Sequence, residues 1–121
     1  MMHERISFTK HKGKPIMVID FSGCTAQEVL ALVDEVQAQV AKHPRNSLLT
    51  LADFKGAQID KRSATRIKEV LVLDRPYVKR SAWIGTEDLP KVFYENFKHF
   101  SQRDFPTFSS RDAAMDWLAQ D

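Results

Sequence analysis

The sequence predicts an α/β domain in which a mixed, mostly parallel sheet of about five strands carries four helices. Three observations predict it. Short apolar runs alternate with amphipathic stretches at helical spacing, strand then helix, along most of the chain. That alternation implies parallel strands joined by right-handed crossovers. The segment Asn46–Gly56 is an apolar strand that ends in Asp53, turns at Gly56 and feeds an amphipathic stretch over 60–73. The first twenty residues instead pattern as a β-hairpin, which adds an antiparallel edge.

Ile6 to Lys10 alternates apolar and polar residues, as a half-buried strand does, and Gly13 supplies a turn. Pro15 to Ile19 is a continuous apolar run, the pattern of a strand covered on both faces. Thr25 and Glu28 have the spacing of a capping box. Val29, Leu30, Val33, Val36 and Val40 then predict the apolar stripe of a first helix, which Pro44 stops. Leu48 to Ala52 is the next strand. The second helix follows from about Asp60, with Ala64, Ile67, Val70 and Leu71 inward, and Arg75-Pro76 ends it. Lys79 to Gly85 is a third buried strand. Thr86, Glu87 and Asp88 are expected to cap a third helix, with Pro90 in its first turn and Leu89, Phe93, Phe97 and Phe100 on one face. Phe105 to Phe108 predicts a short last strand, placed at an edge by its proline. Ser109 and Asp112 predict a second capping box, before a helix that buries Ala113, Met115 or Ala114, Trp117 and Leu118.

A chain of 121 residues with 43% hydrophobic and 28% charged residues can bury a core, and no linker divides it, so residues 1–121 are expected to form one domain. Eighteen Lys and Arg against sixteen Asp and Glu give +2, too balanced to indicate nucleic acid. A single cysteine rules out an internal disulfide. The N-terminus carries no signal-peptide pattern, and no apolar run reaches the ~20 residues of a bilayer span. The expectation is a soluble, cytoplasmic protein without an integral membrane segment.

The stretches Pro15-Ile-Met-Val-Ile-Asp20-Phe-Ser-Gly23, Leu48-Leu-Thr-Leu-Ala-Asp53-Phe and Lys79-Arg-Ser-Ala-Trp-Ile-Gly85, with Phe108, Ala113, Ala114, Trp117 and Leu118, resemble the SpoIIAA-like branch of the STAS superfamily (sulphate transporter and anti-sigma-factor antagonist domains). The resemblance covers most of the chain and implies a small mixed sheet with helices winding past it, a fold shared with lipid-binding CRAL-TRIO domains. Anti-sigma-factor antagonists carry a phosphorylatable serine at the start of the helix after the central strand, in an Asp-Ser-Ser-Gly context. This chain has Asp60-Lys61-Arg62-Ser63 there. The serine doublet and glycine are replaced, so the resemblance implies the scaffold with an altered switch.

Several residues are candidates for function. Asp20 and Asp53 end two adjacent strands and, with Thr86, Glu87 and Asp88, would suit a polar ligand or Mg²⁺; aspartate also suits turns. A phosphoryl-accepting receiver domain is excluded, because Asp20 stands without a second acid and Phe105-Pro-Thr lacks the lysine such a site needs. Lys61, Arg62 and Arg66 crowd the positive end of a helix, where an anion or phosphorylated partner would bind; a solvated polar face is the competing reading. Trp83, Phe93, Phe97 and Phe100 belong to an aromatic-rich C-terminal half that either fills the core or lines an apolar pocket beneath the third helix. Cys24 reads as structural, and the histidines have no metal spacing.

The sequence therefore points to a non-catalytic regulatory or protein-interaction module, with Asp20, Asp53, Asp60, Arg62, Ser63, Arg66, Trp83, Phe93, Phe97 and Phe100 as ligand- or partner-binding candidates. The alternative is a carrier or sensor for a lipid or other small apolar ligand. No catalytic residue, metal or cofactor is expected. The expected partners are a regulatory protein or an apolar ligand, not nucleic acid, with a homodimer as a further form.

Overall fold

The computed structural model describes residues 4–89, 91–101 and 106–120; Phe105 and the side chain of Phe100 lie outside the described residues. Strands β1 (Ile6–His11) and β2 (Lys14–Asp20) pair antiparallel around Lys12 and Gly13, both at positive φ. That is the two-residue turn whose twist matches a hairpin. Next come α1 (Ala26–Val40), β3 (Leu48–Asp53), α2 (Lys61–Asp74) and β4 (Val78–Ile84). A 3-10 turn (Thr86–Asp88), α3 (Lys91–Ser101), β5 (Thr107–Phe108) and α4 (Arg111–Leu118) complete the order. The sheet runs β1-β2-β3-β4-β5, and every pair after the first is parallel. The expected fold class, with its five strands, four helices and N-terminal hairpin, is the one observed.

The two faces of the sheet are covered unequally. Met17, Ile19, Ala52 and Trp83 pack under α1, α2 and α3, whose inward residues include Val29, Val36, Ile67, Val70 and Phe97. On the other face Ile16, Val18, Leu51, Ala82 and Ile84 meet Ala114, Met115 and Leu118 of α4. This explains why β2, β3 and β4 read as unbroken apolar runs: both faces are buried. Helix α4 is pinned at its end by Arg80, which donates to the carbonyls of Trp117 and Gln120 at 3.3 and 2.8 Å.

Local details differ from the sequence-based expectation. In α1 the buried residue is Leu32, not Leu30. Val29, Leu32, Val33, Val36 and Val40 keep the i, i+3, i+4 spacing, whereas Leu30 turns toward a groove shared with α2. The α4 cap is Ser110, whose hydroxyl accepts from the Ala113 N–H at 3.1 Å, so the Ser109–Asp112 box does not form. Ala113 is consequently exposed and Trp117 half-buried. Residues 86–88 form the 3-10 turn rather than the cap of α3.

Gly85 has φ +72°, and a Cβ there would lie 2.4 Å from the Lys55 amide nitrogen. The β4 end and the β3–α2 loop therefore touch backbone to backbone. Gly85→Ala combines the left-handed penalty with this clash and should lower the unfolding free energy by at least ~1–2 kcal/mol, read as a lower urea midpoint at unchanged slope. A midpoint equal to the parent's would mean the two loops are not in contact.

Candidate functional site

The carboxyl ends of β2, β3 and β4 are the usual place for function in such sheets. Here Asp20 and Asp53 stand in register on neighbouring parallel strands, so their side chains share the α4 face. Each is occupied within its own loop. The Asp20 carboxylate accepts from the Ser22 amide at 2.9 Å and from the Ser22 hydroxyl, with Arg5 at 4.0 Å. The Asp53 carboxylate accepts from the Lys55 amide at 3.0 Å and meets Arg111 of α4 at 3.5 Å. These are aspartate-closed turns with cationic neighbours. Backbone bonds knit the same loops together: Phe21 N to Asp53 O, Gly23 N to Lys55 O, and Gln58 N to Cys24 O, at 2.8–2.9 Å. Among the described residues no group of three or more His, Cys, Asp and Glu side chains is arranged to hold a metal ion.

The start of α2 is equally closed. Asp60 is its N-cap, accepting from the Ser63 amide at 2.8 Å, while the Ser63 oxygen accepts from the Asp60 amide at 3.0 Å. The Ser63 hydroxyl also lies 2.9 Å from the Asp60 carboxylate. Ser63 is 1% exposed and belongs to the cap, not to an open surface. The Ser63 N–H first, and then its hydroxyl, hold the Asp60 carboxyl below the usual carboxylate range. Arg66 turns away from the helix end. Its Nε donates to Asp34 of α1 at 2.6 Å, a bond that raises its pKa, and Glu69 lies at 3.9 Å. Arg62 remains exposed beside Lys61, on the rim of the α1–α2 groove.

The aromatic candidates form a chain inside the core. Phe21 stacks on Phe54 at 4.8 Å, Phe54 meets Trp83 at 4.6 Å, and Trp83 meets the edge of Phe97 at 5.9 Å. Phe97 is fully buried and Phe93, half-buried, stacks against it at 6.5 Å. Phe93 and Phe97 also border a pocket of about 210 Å³ between α2 and α3, whose other lining includes Lys61, Thr65, Lys68 and Asn96. A smaller cavity of about 50 Å³ lies between the sheet and helices α1 and α2. Val33, Val36, Val70, Leu71, Phe54 and Trp83 line it, together with three buried polar side chains, Thr50, Ser81 and Asp74.

Those three were missed in the sequence, although a signal was present. Thr50 and Ser81 interrupt otherwise apolar strand runs, and Asp74 continues the inward positions Ile67, Val70 and Leu71 of α2. Arg5 and Arg111 were missed because their partners lie far away in the chain.

A solved structure shares this architecture. It is an uncharacterized protein from the DUF3478 family with a SpoIIAA-like fold, from Shewanella loihica PV-4. The superposition has a TM-score of 0.72 and covers 94% of this chain and 92% of that one, at 17% identity. The chain has a SpoIIAA-like fold. No family model matches the sequence, and neither does any curated protein. Among the described residues of this SpoIIAA-like chain, no helix is long and apolar enough to cross a membrane.

Two measurements check the cap. Ser63→Asp places a second carboxylate against Asp60 in a buried position and should cost more than ~2 kcal/mol, whereas Ser63→Ala should cost about 1 kcal/mol. Equal effects in urea denaturation would mean that the site is open. Asp60 and Glu28 both have folded pKa values below their unfolded ones, each lowered first by a capping backbone N–H. Their contribution is therefore complete above the usual carboxylate range and is lost as pH falls through the lowered folded values. The urea midpoint should drop between about pH 5 and pH 2, and Asp60→Asn should flatten that slope. A parental slope in the variant would refute the assignment.

Proposed function

We propose that this SpoIIAA-like chain is a non-catalytic regulatory module that docks a protein partner with an acidic surface on the amino end of α2. The carrying observation is the inward closure of Asp60 onto Ser63, which leaves Lys55, Lys61 and Arg62 exposed on the β3–α2 loop and first helical turn. A cationic surface at a helix amino end attracts acidic groups through its charge and the helix dipole together. The strand-end loops support the non-catalytic part: Asp20 and Asp53 are tied to turns and to Arg5 and Arg111, with no nucleophile–base pair beside them among the described residues. A buried, unpaired Cys24 suits a reducing cytoplasm.

The lipid-carrier alternative has less support. Ligand clefts run to ~300–1,000 Å³; the apolar cavity beneath α1 and α2 is about 50 Å³, and the pocket beside Phe93 and Phe97, at about 210 Å³, has Lys61, Lys68 and Asn96 in its lining. An apolar dye such as anilinonaphthalene sulfonate should therefore bind the folded protein only weakly and without saturation; a stoichiometric, saturable complex would restore the lipid reading.

The docking proposal is tested with the double variant Lys61→Glu/Arg62→Glu. Acidic residues in a first helical turn are favourable, so its thermal stability should equal or exceed the parent's. Partner proteins captured from the native cell by the parent should be lost with the variant. An identical set of captured proteins, with the variant fully folded, would falsify the docking surface.

A further inference from the structure

We infer that β1 is a self-association edge: a second copy of this chain adds its own β1 antiparallel to it, about a two-fold axis at Phe8. This goes beyond partner docking and depends on none of the α2 surface charges.

The backbone carries the first observation. β1 is an outer strand of the sheet, six residues long and in unbroken register with β2, whereas the opposite edge, β5, has two residues. In an antiparallel pair, positions that exchange hydrogen bonds alternate with positions that do not. The Asp20 N–H donates to the Arg5 carbonyl at 2.9 Å, one step beyond the Ile6–Ile19 pair. The bonded positions are therefore Arg5, Ser7, Thr9 and His11. Pro15 has no N–H and stands opposite Lys10, a non-bonded position, as this alternation requires. The N–H and C=O groups of Ile6, Phe8 and Lys10 thus point away from β2. Among the described residues no other segment pairs with them.

Three outward positions at alternate residues are symmetric about the middle one. A two-fold axis at Phe8 sets Ile6 opposite the partner subunit's Lys10 and Phe8 opposite the partner subunit's Phe8. Every outward N–H and C=O then finds a partner, and no other two-fold register pairs all three positions. Lysine on an edge strand usually discourages pairing, but here Lys10 faces isoleucine and not a second lysine.

The side chains agree with that register independently. Phe8 is a large apolar residue left 42% exposed, tilted against His43 at 5.5 Å. On the axis the two Phe8 rings become a directly opposed cross-strand pair. Glu4 and Lys12 are equally far from Phe8 in sequence, so the same register brings Glu4 toward the partner subunit's Lys12 at both ends of the seam. Lys12 already has Asp116 at 3.2 Å, but both side chains are more than half exposed, so the ammonium is accessible to a second carboxylate. A seam of one strand pair is smaller than the ~1,200 Å² of stable complexes, which makes this a weak dimer with a dissociation constant on the order of 100 μM.

The test is sedimentation velocity of the full chain from about 10 μM to about 1 mM, a range that brackets that constant, with amide exchange followed by NMR over the same range. A monomer–dimer equilibrium is expected, with the Phe8 and Lys10 amides gaining protection as concentration rises. Phe8→Lys sets like charges opposite each other on the axis and should weaken dimerisation at least about tenfold, while thermal stability stays near the parent's because the site is exposed. Glu4→Lys should also weaken the dimer, and Glu4→Lys/Lys12→Glu should restore it. Should Phe8→Lys fail to fold, this charge series decides. Four results overturn the proposal: a chain still monomeric at the highest concentration; a dimer in which the Phe8 and Lys10 amides gain no protection; a dimer that folded Phe8→Lys leaves unchanged; or a charge swap that regains nothing lost in Glu4→Lys. The α2 charge reversal should dimerise as the parent does, so the two proposals fail separately.

Discussion

Strand β3 is hydrogen-bonded along both edges, to β2 through Met17–Asp20 and to β4 from Leu48 to Asp53, and it supplies buried side chains to both helix layers. Its burial pattern is unbroken from Leu48 to Ala52. Alternate residues serve opposite layers: Leu49 and Leu51 face α4, while Leu48 and Ala52 face α1, α2 and α3. A one-residue slip would exchange those sets and carry Thr50 to the wrong layer. The ladder continues past the strand into the loops, where Phe54 N donates to Ile84 O at 2.9 Å and Phe21 N to Asp53 O at 2.8 Å. The rim is thus an extension of the sheet, stiffer than its loop sequence suggests, and the close approach at Gly85 locks it against β4.

That stiffness explains the closed state of the polar groups. Asp20, Asp53 and Asp60 all accept backbone N–H groups two or three residues ahead of them. Each carboxylate therefore shapes a loop or starts a helix. Ser63 shows the same economy, because one hydroxyl completes the cap of α2 and is buried by it. A phosphoryl group at that oxygen would require the first turn of α2 to open. The surface that remains available is the one made by Lys61 and Arg62, whose side chains the cap does not use.

Element order, sheet type and the α1 cap were legible in the sequence because they depend on local periodicity and short-range bonds. Thr25 with Glu28 is an example: both bonds of the box join residues three apart. The site was less legible because its partners are distant. Nothing near Asp53 announces Arg111, and nothing near Arg66 announces Asp34, which neutralises it from another helix. Leu30 and Leu32 are both apolar, and it is Leu32 that falls on the i, i+3, i+4 stripe with Val29, Val33 and Val36, a choice the local spacing already contained. The Thr50–Ser81 pair joins two strands separated by a whole helix, so its meaning appears only once β3 and β4 are in register. The space beside it depends on side-chain volumes across three elements, which no local pattern encodes.

Helix α2 spans one face of the sheet from its cationic amino turn to the cavity at its other end. Its amino turn carries Lys61 and Arg62, its inner face supplies Ile67, Val70 and Leu71 to the cavity roof, and its last residue, Asp74, borders that cavity. A helix of 14 residues is about 21 Å long, so one element reaches from the cationic rim to the far end of the cavity. The Arg66–Asp34 bond ties it to α1 at 2.6 Å. An exposed ion pair adds little to stability, so the seating of α2 rests on the buried side chains of Ile67, Val70 and Leu71.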